Sequence, residues 1–123
     1  IKPGDIIFLY GELGVGKTTF VRFLINKFQK NSGLEITEVT SPTFNLLNEY
    51  QINKIKINHF DLFRLKSPNE IKDLNLFDNN SNTITLIEWP QIIQEKPKNL
   101  IELIFEYGEE HQTRYVQIKN LKF

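Results

Sequence analysis

Apolar and polar positions follow two periods along this chain, and their order predicts a layered α/β domain. Residues 6–10 (I-I-F-L-Y) form an unbroken apolar, β-rich run, the mark of a buried strand. Residues 19–28 place Phe20, Phe23, Leu24 and Phe28 at helical spacing, so those four are expected on the buried face of a helix. Asn31-Ser32-Gly33 supplies its left-handed stop. Residues 45–50 and 54–60 predict two strands about a turn at 51–53. In the second, Ile55 and Ile57 alternate with Lys56 and Asn58, as in a half-exposed strand. Ser67, Pro68 and Glu70 predict a short helix with a capping box, ending near Asn75, with a polar loop over 78–82 beyond it. Residues 83–90 give a second strongly apolar strand, stopped by Pro90. Residues 100–106 and 114–118 alternate as a hairpin whose loop contains Gly108. No repeat and no linker interrupts this order. The expected architecture is one domain over 1–123, with a central, mainly parallel sheet and antiparallel additions.

Between the first strand and the helix lies Gly11-Glu12-Leu13-Gly14-Val15-Gly16-Lys17-Thr18, which fits G-x-x-x-x-G-K-[ST], the Walker A or P-loop pattern. Strand, glycine loop and helix together are the context in which that pattern carries meaning. The glycines let the backbone curl around a diphosphate with no Cβ in the way. Successive N–H groups then point inward, joined by the free amides and positive dipole end of the helix. Lys17 adds a mobile charge for the β and γ phosphates, and the Thr18 hydroxyl is placed to ligate Mg²⁺. Nucleotide binding is the expectation, with Gly11, Glu12, Leu13, Gly14, Val15, Gly16, Lys17, Thr18 and Thr19 as the binding segment.

Composition narrows this further. A hydrophobic content of 40% suffices for a packed core, while 15 Lys+Arg balance 15 Asp+Glu. That balance argues against a chain gripping nucleic acid through its own broad basic surface. With no cysteine, disulfides and thiolate metal sites are excluded. No apolar run approaches the roughly 20 residues of a membrane span, and nothing at the start resembles a signal peptide, so the cytoplasm is the expected location. Methionine is absent even at position 1, and the natural start is expected upstream.

Hydrolysis or transfer needs carboxylates near the metal and a switch near the γ phosphate. Asp61 and Glu88 each close an apolar strand, where α/β folds face their ligand crevice. By pattern either can be the Walker B carboxylate. Thr43, in Thr40-Ser41-Pro42-Thr43-Phe44, sits where a hydroxyl can sense the γ phosphate, although Ser-Pro-Thr is also an ordinary turn. His59 is read as satisfying a backbone group, Arg64 as a phosphate neutraliser or an ion-pair partner, and Trp89 as half core and half lid. Asn53-Lys54-Ile55-Lys56 lacks the Asp of N-K-x-D, and Asp61-Leu62-Phe63-Arg64 lacks the glycine of D-x-x-G. ATP is therefore favoured over GTP.

Taken together, Gly11 to Thr19, Ser41-Pro42-Thr43-Phe44, His59-Phe60-Asp61-Leu62-Phe63-Arg64 and Ile87-Glu88-Trp89-Pro90 resemble, in order and spacing, the bacterial TsaE (YjeE) family. These are small P-loop ATPases of tRNA threonylcarbamoyladenosine biosynthesis. The resemblance implies an ATP-driven step performed with the TsaD–TsaB pair, and contact with tRNA only through that complex. It implies that Lys17 and Thr18 hold phosphate and Mg²⁺ and that Thr43 belongs to a switch-like loop. Asp61 would be the Walker B-like carboxylate, Glu88 would assist metal or attacking water, and Trp89 would lie close to the nucleotide. Phe63 stands where the family often has Tyr, and Asn75 and Phe77 where it tends to have Gly and Glu. The family's N-terminal segment, which would precede Ile1, is expected to be absent from this sequence, and with it part of the nucleotide pocket or its cover. Two other readings remain open on sequence alone: a P-loop small-molecule kinase, for which Arg64 is the best-placed lid arginine, and a nucleotide-sensing module without useful turnover.

Overall fold

The structure is a computed structural model that describes residues 1–42, 45–77, 81–110 and 113–120. Six strands build one sheet: β1 (Ile6–Tyr10), β2 (Leu47–Ile52), β3 (Ile55–Asp61), β4 (Thr83–Glu88), β5 (Leu100–Tyr107) and β6 (Arg114–Lys119), in the spatial order β2-β3-β4-β1-β5-β6. The four central strands run parallel, and β2 and β6 join the edges antiparallel. β4 is buried along its whole length, and β1 up to its last residue. β1 is a continuous apolar run because a parallel strand covered on two faces leaves no polar side, whereas β4 also buries Thr83, Thr85 and Glu88.

The one long helix among the described residues, α1 (Lys17–Asn31), covers one face of the sheet. Val21 and Ile25 pack there on Ile7, Leu9, Ile57, Ile84, Leu86 and Leu103. The other face carries Ile6, Phe8, Phe60, Ile87 and Leu100 under Leu62, Leu76 and the partly buried Leu65, Ile71, Phe77 and Trp89. Alternation along each strand sends residues 7 and 9 of β1, and 84 and 86 of β4, toward α1. By the same alternation Glu88 and, on β3, His59 and Asp61 share the α1 side.

Three expectations need correction. Phe23 is 63% exposed, with the Lys27 ammonium 5.7 Å from its ring centroid. The buried stripe is Lys17, Val21, Ile25 and Gln29, flanked by Phe20, Leu24 and Phe28. Position 23 lies about 200° around the helix from Val21 and from Ile25, which excludes it from their face. The strands expected at 45–50 and 54–60 lie later, because the buried Ile52 pairs with Ile55 and leaves only Asn53-Lys54 for the turn. Asn53 takes φ 55° there, a left-handed conformation that Asn tolerates. Finally, the segment at Pro68–Leu74 is a 3₁₀ helix with no buried residue. Ser67 Oγ accepts from the Asn69 amide at 3.3 Å, while Glu70 is exposed. A turn this short, with little apolar surface to bury, does not propagate into α-helix. Asn75 does supply its left-handed stop, at φ 51°.

Part of the polar loop expected at 78–82, residues 78–80, lies outside the described residues. The hairpin of β5 and β6 forms as expected and is closed by Gly108 N–H donating to Thr113 O at 2.8 Å. Among the described residues no helix is long and apolar enough to cross a membrane.

Ile25→Ala, which opens a cavity between α1 and the sheet, should cost about 2–5 kcal/mol in urea denaturation. Phe23→Ala should stay within about 0.5 kcal/mol. Equal losses at the two positions would contradict the packing described for α1.

Candidate functional site

The carboxyl ends of β3 and β4 and the loop after β1 surround a cleft of about 280 Å³. Leu13, Gly14, Gly16, Lys17, Thr18 and Thr19 line one wall; Ser41, Asp61, Glu88 and Trp89 line the other. Gly11, Glu12 and Val15 serve the loop from behind. Val15 is buried in the core under α1, Glu12 is exposed, and the Val15 amide donates to Glu12 O at 3.2 Å. A Cβ at Gly11 would lie 2.7 Å from Val15 Cγ1 and 2.9 Å from Phe105 O, so only glycine lets the loop lie against β5. Gly16 starts α1 at φ 116° and offers no side-chain cap, and the first turn of the helix holds no acidic residue. The amides at that end and the positive end of the helix dipole are thus left to an anion.

Lys17 is 4% exposed. Its Nζ donates to Gly11 O and lies 3.5 Å from the Trp89 ring centroid. Burial pushes its pKa below the usual lysine value, and the charges of Glu88 and Asp61 oppose that shift. Trp89 itself sits at φ 58°, directly before a 3₁₀ turn at Pro90–Ile92, and its ring meets that of Phe63 at 4.8 Å between centroids. Phe63, exposed and lacking a hydroxyl, supports the indole by its ring alone.

Asp61 and Glu88 are register partners across the parallel pair β3–β4. Glu88 is buried, and both its oxygens lie within reach of the Thr18 hydroxyl, at 3.1 and 3.2 Å. Asp61 accepts from Ser41 Oγ at 2.9 Å and from the Phe63 amide at 3.0 Å. The two carboxylates thus face different neighbours: one the glycine-loop helix, the other the segment leading to Thr43. Thr43 itself lies outside the described residues. Arg64 is exposed and does not line the cleft. His59 does not serve a backbone group as expected; its Nε2 lies 2.6 Å from Glu88 Oε2. The ring points along β3 toward the carboxyl end of β4, a contact that strand register sets and linear sequence does not display. Ser41 was read only as part of the Ser41-Pro42-Thr43-Phe44 motif, and its bond to Asp61 joins a loop to a strand end 20 residues away.

Among the described residues no group of three or more His, Cys, Asp or Glu forms a ready-made ion cage. That does not disfavour Mg²⁺, which takes one or two carboxylates and completes its sphere with waters and substrate phosphates. The Thr18 hydroxyl beside the Glu88 carboxylate is a donor set of that kind. A larger hollow of about 660 Å³ opens at the other end of the strands, around Lys2, Asp5, Lys96 and Asn99. None of its lining residues belongs to the glycine loop or to the carboxylate pair.

A family model described as "Threonylcarbamoyl adenosine biosynthesis protein TsaE" matches residues 1–116. The chain is 48% identical over 104 residues to the tRNA threonylcarbamoyladenosine biosynthesis protein TsaE of Rickettsia bellii, covering 84% of this chain and 69% of that protein. To the protein of the same name from Rickettsia felis it is 42% identical over 113 residues, 91% of this chain and 64% of the relative. The Bacillus subtilis protein of that name is 30% identical over 123 residues, 97% of this chain and 73% of its own length. A crystal structure of Bacillus subtilis YdiB superposes with a TM-score of 0.60 at 27% identity, covering 89% of this chain and 64% of that one. The chain therefore spans about two thirds of the length of these relatives. On the family match, the relatives and the shared fold together, the chain belongs to the TsaE family.

Proposed function

We propose that this chain is a Mg²⁺-dependent ATPase subunit of tRNA threonylcarbamoyladenosine biosynthesis, acting with the TsaD–TsaB pair. The observation that carries the reading is the Thr18–Glu88 contact at the open amino end of α1. It sets a hydroxyl, a carboxylate and a row of uncapped amides around one cleft, the parts that phosphoryl transfer to water requires. The pathway is supported by the family match, the printed names of the relatives being those of proteins of that biosynthesis.

In this reading the amides of the glycine loop and the first turn of α1 bind the β and γ phosphates. Lys17 leaves the Gly11 carbonyl for a phosphate oxygen, exchanging a half-satisfied buried ammonium for a full ion pair. Thr18 and Glu88 hold Mg²⁺, which when bound neutralises charge on the phosphates. Asp61 orients the attacking water and, through Ser41, links the cleft to the segment that carries Thr43. Trp89 walls the site above Lys17 and excludes water.

Mg²⁺-ATP at a hundred times Kd should add about 2.7 kcal/mol to stability, read as a rise in Tm. Lys17→Met keeps the packing under Trp89 and should abolish that rise; an undiminished rise would remove Lys17 from the phosphate site. Phosphate release should be slow for the chain alone and increase on adding the TsaD–TsaB proteins. Phosphorylation of a metabolite independent of those partners would indicate a kinase instead, and absence of turnover in both conditions a nucleotide-sensing module. Glu88→Gln should raise the Mg²⁺ requirement for nucleotide binding by at least about tenfold. Asp61→Asn should lower turnover and leave that requirement in place, and the opposite pattern would exchange the two roles.

A further inference from the structure

We propose that His59 is a positioning residue for the metal site: it fixes the Glu88 carboxylate so that the carboxylate and the Thr18 hydroxyl present a preset pair of oxygens to Mg²⁺. The inference rests on the assignment of Glu88 and Thr18 to the metal made above. Three observations support it. The His59 ring is fully buried, and its Nε2 lies 2.6 Å from Glu88 Oε2. Its Nδ1 has no hydrogen-bond partner among the described residues, so Glu88 is the one polar group there that the ring engages. Glu88 is itself buried, and its two oxygens are divided between donors: His59 holds Oε2, while the Thr18 hydroxyl reaches both.

A residue needed only to fill this place would be apolar, since an imidazole brings a desolvation cost and here also an unpaired nitrogen. The polar part of His59 is spent on Glu88 alone. An imidazole carries a proton on Nε2 in one neutral tautomer and in the cation, so it donates to the carboxylate in either charge state. With Oε2 anchored, the carboxylate cannot rotate freely about its last bond, and its remaining lone pairs keep one direction toward the cleft. Groups that orient a metal ligand in this way are typically worth about ten- to hundredfold in metal affinity.

The test titrates Mg²⁺ into the whole chain with a fluorescent ATP analogue and compares wild type, His59→Phe and His59→Gln. His59→Phe should bind the analogue like wild type in EDTA, yet need about tenfold or more Mg²⁺ for half-maximal tightening. His59→Gln, which keeps an N–H donor, should recover most of the wild-type Mg²⁺ response. A wild-type Mg²⁺ response in His59→Phe, or a Gln variant as impaired as the Phe variant, would overturn the proposal. A wild type that itself ignores Mg²⁺ would instead overturn the assignment of the metal site. A readout without substitution uses the ring itself, because the chain holds only two histidines. In ¹⁵N-histidine spectra of the wild type, one imidazole Nε2–H should be protected from exchange and shift when Mg²⁺ is added to the nucleotide complex. Absence of any protected imidazole N–H would also overturn the proposal.

Discussion

Glu88 is a carboxylate inside the protein, and the arrangement around the cleft follows from the need to hold it there. Burying such a group without partners is costly, so it must be met by donors. Here they come from two elements distant in sequence: the Thr18 hydroxyl from the first turn of α1 and the His59 ring from β3. Each donor can be in place only if β3 and β4 pair in the observed register and α1 lies across their carboxyl ends. The buried carboxylate is therefore satisfied only in the assembled domain.

The glycine loop responds to the same constraint from the other side. Its close approach to β5 at Gly11 and the left-handed Gly16 bring the start of α1 to the rim of the sheet, with its amides facing outward. Lys17, buried with its pKa held down and its ammonium on a loop carbonyl and an indole face, is poorly satisfied by the protein alone. Such a cation gains when an anion arrives, which is the energetic basis of the proposed phosphate site. Asp61 stands one strand away and is turned toward Ser41, so the two carboxylates share a cleft without sharing partners.

The parts of this arrangement written in local pattern were legible in the sequence. β1, the glycine loop, α1, β4 and the terminal hairpin each carry a continuous signal, and the spacing of four motifs carried the family resemblance. The parts that depend on contacts between distant residues were not. Phe20, Phe23, Leu24 and Phe28 look like one apolar stripe because Phe is strongly hydrophobic, yet the smaller Val21 and Ile25 set the buried direction and Phe23 faces out. His59 and Glu88 are 29 residues apart and meet through the β3–β4 register, while Ser41 and Asp61 are 20 apart and meet where a loop packs on the end of β3. The short helix after Ser67 was read from its cap, which is present, but a cap sets where a helix starts and not whether it tightens into a 3₁₀ turn.

The most direct measurement of the central claim is a crystal structure of the chain with Mg²⁺ and a non-hydrolysable ATP analogue. The account predicts phosphates against the backbone amides of residues 14–18, with the metal touching Thr18 Oγ1 and a Glu88 oxygen while His59 keeps its hold on the same carboxylate. Phosphates bound elsewhere, or a metal held away from Glu88, would contradict it.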